Sequence, residues 1–355
     1  MNMNIWNNWK WHVTHRITHQ NINDRELNLE YEIRSTPYYY SLVDHNNKNC
    51  PIGKQILPTA EELKNELWVS SYGINVYDSL AEEKFSPVPN LVHRYPDRVL
   101  LLVTTCCFVH CRFCGRKRLT SKKDEKLNVD EAIHYIVKHD EIKDVLISGG
   151  DPLTLEDEEI QDILERLRAI NHVQIIRIGT RAPVVLPMRI TDDLINILKK
   201  YHPLWINTHF NHPKEITEEA ISACNKLSDA GIPLGNQSVL LKGINDNADT
   251  YKELGQNLIK SRIRPYYLYQ CDLGDGISHF RTKVQVGIDI MEHLRQHITG
   301  FAIPTYVIDA PNGGGKIPIN PNYIVDKNEE RIIIRNYENK LFVYPETKND
   351  RNSIL

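Results

Sequence analysis

The sequence predicts an α/β fold, an incomplete (βα)6 TIM-like barrel, on three observations. Short β-branched runs alternate with amphipathic helical stretches from Val99 onward. A polar cluster follows the end of each apolar run, as it does in parallel sheets that carry a site. Six such units fit an open barrel better than a closed eight-stranded one. A doubly wound open sheet shares the local alternation and is the alternative.

Strands are predicted at Val99–Thr104, Asp144–Ser148, Gln174–Ile178, Leu204–Thr208, Pro233–Leu240 and Arg264–Tyr269. Helices are predicted at Val129–His139, Leu155–Ile170, Thr191–Tyr201, Thr217–Ala230, Asp249–Arg262 and Val284–His297, with an extended stretch at Ile303–Asp309. Residues 1–90 read as a separate, mostly helical extension. There Trp6, Trp9, Trp11 and Ile17 make one helical face, and Thr59 to Glu62 is a capping box. Residues 91–320 form the barrel. Residues 321–355 are a short tail in which alternation at Arg331–Ile334 and Leu341–Tyr344 suggests a hairpin.

Composition bounds the function. The 355 residues, 41% hydrophobic, suit one large α/β domain or two smaller ones. A net charge of -3 argues against a general nucleic-acid binder. Seven cysteines without paired spacing suit a reducing cytosol. With no membrane-length apolar stretch and no signal pattern, the expectation is a soluble cytoplasmic protein.

The chemistry centres on Cys107, Cys111 and Cys114, a C-x3-C-x2-C array directly after the first strand. Three thiolates on one loop suit three corners of a [4Fe-4S] cube and leave the fourth iron open. A zinc knuckle completed by His110 or Cys106 is the competing reading. Cys50, Cys106, Cys224 and Cys271 read as ordinary buried or half-buried thiols. After the second strand come Ser148, Gly149, Gly150 and Asp151, either a helix-capping turn or a close backbone approach to a ligand. Asn207 and His209 end the fourth strand, as satisfied core polars or as cavity groups. Near the C-terminus, Asp309 to Lys316 carries three glycines before its lysine. Ala310 and Ile317 break the P-loop pattern. The run is then a flexible tether, or Lys316 forms a Schiff base with a carbonyl cofactor.

The cysteine spacing, with Phe113 before the last cysteine, resembles the radical S-adenosylmethionine (SAM) superfamily. Arg94 to Arg98, Gly115 to Arg118, the Ser-Gly-Gly-Asp-Pro turn, Asn207 to Pro213, Tyr269 to Leu273 and Asp309 to Lys316 together resemble the lysine 2,3-aminomutase family. That resemblance implies a radical SAM barrel and three cofactors, a [4Fe-4S] cluster, SAM and pyridoxal 5'-phosphate (PLP). It implies Cys107, Cys111 and Cys114 as cluster ligands, and Phe113, Ser148, Gly149, Gly150, Asp151 and His209 around SAM. Lys316 would carry PLP, with Arg94, Tyr95, Arg98 and Gln237 about its phosphate. Arg116 would take the substrate carboxylate, and Asp272 with Asp309 the cationic end of its side chain.

The implied reaction converts L-lysine to β-lysine. A 5'-deoxyadenosyl radical removes hydrogen from carbon 3, and the amino group migrates there from carbon 2. Arginine 2,3-aminomutase is the nearest alternative, and a non-catalytic iron-sulfur or zinc protein the alternative of another class. A small amino acid substrate, a reducing partner such as flavodoxin or ferredoxin, and a homodimer or homotetramer are implied with it. Longer members carry a zinc site whose first cysteine falls where this chain has Asn247. No cysteine follows Cys271, so no zinc is expected. Asn312 stands in place of the first glycine of the family's run.

Overall fold

The computed structural model describes residues 3–18, 32–64, 67–120 and 123–347. Nine strands form one sheet: β1 (Leu91–Tyr95), β2 (Arg98–Thr104), β3 (Asp144–Gly149), β4 (Ile175–Gly179), β5 (Leu204–Thr208), β6 (Leu234–Leu240), β7 (Ile263–Gln270), β8 (Thr305–Ala310) and β9 (Gly315–Pro318). They lie in sequence order. Strands β2 to β8 pair in parallel. Antiparallel β1 and β9 form the edges.

Six helices connect the parallel strands: α1 (Asp130–Lys138), α2 (Asp157–Arg168), α3 (Asp192–Leu198), α4 (Glu218–Asp229), α5 (Ala248–Lys260) and α6 (Val284–His297). The predicted (βα)6 barrel is present, and the extended stretch after α6 is its seventh parallel strand. The barrel is nearly closed, because side chains bridge its two edges. Arg94 on β1 meets Asp309 on β8 at 3.2 Å, and the Tyr95 hydroxyl accepts the Lys316 N–H of β9 at 2.8 Å.

Local chemistry sets the element ends. Thr191, Thr217 and Asn247 cap α3, α4 and α5, each accepting an N–H three residues on, an interaction worth about 1 kcal/mol apiece. Asn247, the position at which the family resemblance implies a cysteine in longer members, is a helix cap here. Helix α2 buries Ile160, Ile163, Leu164 and Leu167, one stripe at helical spacing. It starts later than predicted because Pro152–Thr154 forms a 3-10 turn and Glu156 caps the helix with Glu159. Helix α3 ends earlier because its last turn tightens to 3-10 at Lys199–Tyr201.

The N-terminal segment departs from the expected single helix. Two short helices, Met3–Trp6 and Trp9–Thr14, are separated where Asn8 caps the second, and Ile17 lies in a two-residue strand. An Asn side chain competes well for the free N–H groups of a new helix, so it restarts the chain there. Trp6 and Trp9 still pack against the core, and Arg189 lies 4.5 Å from the Trp9 ring centre. The predicted box at Thr59 opens a 3-10 turn, Ala60–Leu63, with Glu62 accepting from the Thr59 N–H at 3.3 Å. Tyr38, Tyr39, Ile52 and Ile56 share one hydrophobic core with the barrel. The C-terminal hairpin gains a third strand, giving an antiparallel sheet of Ile324–Lys327, Arg331–Arg335 and Leu341–Pro345.

Candidate active site

A cavity of about 630 Å³ opens at the C-terminal ends of the parallel strands. Every site residue that the sequence singled out lines it: Arg94, Tyr95, Arg98, Cys107, Cys111, Phe113, Cys114, Arg116, Ser148, Gly149, Gly150, Asp151, His209, Gln237, Asp272, Asp309 and Lys316. Residues spread over more than 200 positions of chain converge because most sit at or just beyond a C-terminal strand end, while Gln237 points in from mid-β6 and Arg98 from the start of β2.

The cysteine loop is clamped from two sides. On one, the His110 N–H donates to the Arg34 carbonyl and the Arg112 N–H to the Gln55 carbonyl, at 2.9 and 2.8 Å. The buried Arg112 guanidinium forks onto Glu62, at 2.9 Å through Nε and 2.5 Å through Nη2. On the other, the N–H groups of Gly150 and Asp151 donate to the carbonyls of Thr104 and Cys106, both at 2.7 Å. A Cβ on Gly149 would lie 2.3 Å from the Thr104 oxygen, and one on Gly150 2.1 Å from the Cys106 oxygen. The close approach that these glycines permit is to the cluster loop itself. Both oxygens of Asp151 are engaged within the protein, by the Thr180 hydroxyl, the Arg181 N–H and the Leu153 N–H.

Burial first, then Cys114, Asp151 and Cys111, push the Cys107 thiol well above its ordinary value. Burial and then Cys111 push Cys114 up to about 11. The Cys107 and Cys114 thiols ionise together only when a positive centre joins them. Donors already face two of the sulfurs. Arg181 Nη1 lies 2.8 Å from Cys111 Sγ and the Arg116 N–H 3.3 Å from Cys114 Sγ. This donor set fits three corners of a [4Fe-4S] cube. On the same cavity wall, Asn207 Nδ2 and Thr208 Oγ1 are buried without a hydrogen-bond partner among the described residues. Such groups fit a polar ligand such as SAM. Phe113 stacks on His209 with ring centres 5.6 Å apart, and burial, then Arg181, drops the His209 imidazole to about 3. The ring is neutral, and its Nε2 accepts from Asn211 Nδ2 at 3.2 Å.

Further along the wall, Arg116 is held by Glu82 through Nε at 2.9 Å and Nη2 at 2.8 Å. Glu82 also meets Arg118 at 3.2 Å. Burial opposes ionisation of Glu82, but Arg116 and Arg118 outweigh it and keep the carboxyl below its usual range. Arg116 Nη1 faces Ser148 Oγ at 3.5 Å. At the sheet edge Asp309 bridges two cations, Arg94 Nη1 at 3.2 Å and Lys316 Nζ at 2.7 Å. Asp309 and Lys316 are register partners of the β8–β9 hairpin. Its tip carries Asn312 at φ 58°, a left-handed conformation that asparagine tolerates, so the missing glycine leaves the turn intact. Arg98 pairs with Asp97 at 3.0 Å and lies 4.0 Å above the Tyr95 ring. Asp272 carries no hydrogen bond among the described residues and faces the cavity beside Gly115.

Glu82, Tyr266 and Tyr267 also line this cavity and are not singled out by the sequence, while Arg181, in the polar cluster after the third predicted strand, and Tyr269 are noted there without a role. Arg181 had the signal of a strand-end position. Glu82 had none.

The Radical SAM superfamily model matches residues 101–254, and that of Lysine-2,3-aminomutase matches residues 291–353. An L-lysine 2,3-aminomutase of Clostridium subterminale is 49% identical over 97% of this chain and 85% of its own length. That of Fusobacterium nucleatum subsp. nucleatum is 48% identical over 97% and 83%. The chain belongs to the lysine 2,3-aminomutase family. It is accordingly a radical SAM isomerase acting on a small amino acid, and the cofactors of this family are a [4Fe-4S] cluster, SAM and PLP. A glutamate 2,3-aminomutase of Clostridioides difficile (strain 630) is 42% identical over 95% of this chain and 82% of its own. Among solved structures, a radical SAM methyltransferase from Sphaerobacter thermophilus aligns over 62% of this chain and 68% of its own, at TM-score 0.47 and 18% identity. Among the described residues no helix is long and apolar enough to cross a membrane.

Proposed function

We propose that this aminomutase converts L-lysine to L-β-lysine. The observation that carries the reading is the pair of carboxylates, Asp272 and Asp309, on a cavity that also presents the Arg116 guanidinium. The guanidinium suits an α-carboxylate and the two carboxylates a side-chain cation. An acidic side chain beside two carboxylates would be repelled, so glutamate is the disfavoured substrate.

Cys107, Cys111 and Cys114 would hold the cluster, and Phe113, His209, Ser148 and the Gly149–Gly150 turn would hold SAM. Asp151 supports that turn from behind. Arg94, Tyr95, Arg98 and Gln237 would hold the PLP phosphate, and Lys316 is the amine that would carry the cofactor. When bound, PLP supplies the π-system that carries the nitrogen as it migrates. Arg116, fixed by Glu82, orients the substrate carboxylate, so that carbon 3 is presented to the radical source rather than to solvent. Asp309, which pairs with Lys316 at 2.7 Å, would be released to the substrate cation once Lys316 carries the cofactor. The enclosing wall keeps water from the radical. The reading also calls for an electron donor such as flavodoxin or ferredoxin, a reducing cytoplasm, and a homodimer or homotetramer.

The test is a substrate panel. Anaerobically reconstituted enzyme with SAM and PLP is assayed on lysine, arginine, ornithine and glutamate, scoring β-amino acid by mass spectrometry. Lysine is expected to give the highest kcat/KM. Preference for arginine would keep the two-carboxylate clamp and change the substrate, whereas preference for glutamate would remove the clamp.

A further inference from the structure

Arg181, on the loop after β4, is buried, and all of its hydrogen-bonding nitrogens are engaged. Nη1 donates to Cys111 Sγ at 2.8 Å and Nε to the His209 carbonyl at 3.2 Å. Nη2 reaches the Tyr39 hydroxyl at 3.0 Å, Gln55 Oε1 at 2.6 Å and Glu215 Oε1 at 2.8 Å. The guanidinium lies 5.2 Å from the Tyr39 ring centre and 5.5 Å from that of Phe113. Its counter-charge, Glu215, is equally fixed. Glu215 Oε1 accepts from the Tyr39 hydroxyl and from Gln55 Nε2, and Oε2 accepts the N–H groups of Asn211 and His212 at 2.6 and 2.8 Å.

A purely structural role, tying Tyr39 and Gln55 of the N-terminal segment to the barrel, accounts for Nη2 and Nε. It leaves the shortest route to a reacting centre unexplained, the Nη1 contact to sulfur. A cationic donor to a thiolate is among the stronger hydrogen bonds. It stabilises the more electron-rich state of a cluster, so it raises the potential at which the cluster takes its electron.

We propose that Arg181 is a positioning residue for the iron-sulfur cluster, setting the orientation of the Cys111 thiolate and raising the cluster's reduction potential. The Tyr39–Gln55–Glu215 cage fixes the guanidinium. The N-terminal segment thereby influences the cluster from behind Arg181. The proposal rests on Cys111 as a cluster ligand and is independent of which amino acid is the substrate.

The experiment uses full-length protein reconstituted anaerobically as parent, Arg181→Gln, Arg181→Lys, Tyr39→Phe and Cys111→Ala. Iron and sulfide content, the EPR signal of the reduced cluster and its potentiometric titration are read for each. Arg181→Gln is expected to shift the midpoint to more negative potential and to alter the EPR line shape at parental iron content. Arg181→Lys should recover part of the shift, and Tyr39→Phe should show a smaller shift of the same sign. If Arg181→Gln does not fold, the other two decide, and parental potentials in both would overturn the proposal. A parental midpoint and line shape in a folded Arg181→Gln overturns it as well. A full cluster in Cys111→Ala overturns the ligand assignment beneath it.

Discussion

Asp309 and Lys316 face each other across the β8–β9 hairpin as register partners, and their side chains close the pair at 2.7 Å. Asp309, 7% exposed through its side chain, is also bound by Arg94, so one carboxylate serves both edges of the open barrel. Removing one partner of a buried ion pair typically costs about 3–5 kcal/mol. Lys316 is partly exposed, which argues for the lower end. Asp309→Asn is expected to lower kcat/KM for lysine by about 10²-fold or more, with cluster content and SAM binding retained. Borohydride reduction of the PLP-loaded parent should label Lys316 on peptide mapping, and a label on another lysine would remove its assigned role.

The Gly150 turn makes a sharper steric prediction. A Cβ there would lie 2.1 Å from the Cys106 carbonyl oxygen, part of rigid backbone next to the first cluster cysteine. Overpacking of this kind costs about 1–3 kcal/mol where side chains can yield, and backbone yields less. Gly150→Ala should therefore lower the thermal midpoint and the iron incorporated on reconstitution. Gly300→Ala is the control, because a Cβ at Gly300 meets nothing within 4 Å. Equal iron content and equal melting of the two variants would contradict the clamp.

Glu82 anchors Arg116 with two charge-assisted contacts, a class worth about 1.5–3 kcal/mol to stability. Glu82→Gln keeps the shape and halves the strength of those contacts. The expected result is a KM for the amino acid raised by about tenfold or more, with a smaller change in kcat. SAM cleavage without substrate should be unaltered. A change confined to kcat would mean that Arg116 does not need Glu82 to hold the substrate.

The barrel was legible because seven apolar strands and six amphipathic helices each repeat a pattern visible over five to fourteen residues. The strand-end clusters of the cavity were legible from the parallel pattern, whereas Arg94, Tyr95, Arg98, Gln237 and Lys316 take their roles from the family resemblance. Asp151 shows the limit of that rule. It was found in the right place, yet its oxygens are committed to Thr180, Arg181 and Leu153. Glu82 reaches Arg116 from 34 residues away and Arg181 reaches Tyr39 from 142. Such pairings carry no local periodicity, so nothing in the run of residues around Glu82 distinguishes it from Glu83 beside it. The N-terminal helix was overdrawn for a local reason, since tryptophan spacing outweighed the capping power of Asn8.

Asp272 gives the last prediction, on pH. Burial raises its carboxyl to about 7 from an ordinary 3.8, the nearby Asp309 charge adds to that, and Lys316 and Arg116 pull the other way. The folded state thus binds this proton more tightly than the unfolded chain does. In the free enzyme the group's contribution to stability falls as pH rises from 3.8 to about 7 and is constant above. A cationic substrate reverses the preference, because its ammonium pairs with the ionised carboxylate. Affinity for lysine should therefore climb with pH up to about 7 and then level. Below that pH, lysine binding should expel a proton. Calorimetry at pH 6 in buffers of different ionisation enthalpy should detect that proton in the parent and none in Asp272→Asn. The acid limb of kcat/KM should vanish in the same variant, while its plateau falls by orders of magnitude. An acid limb near 7 that survives Asp272→Asn would assign the titration to another group and detach Asp272 from the substrate cation.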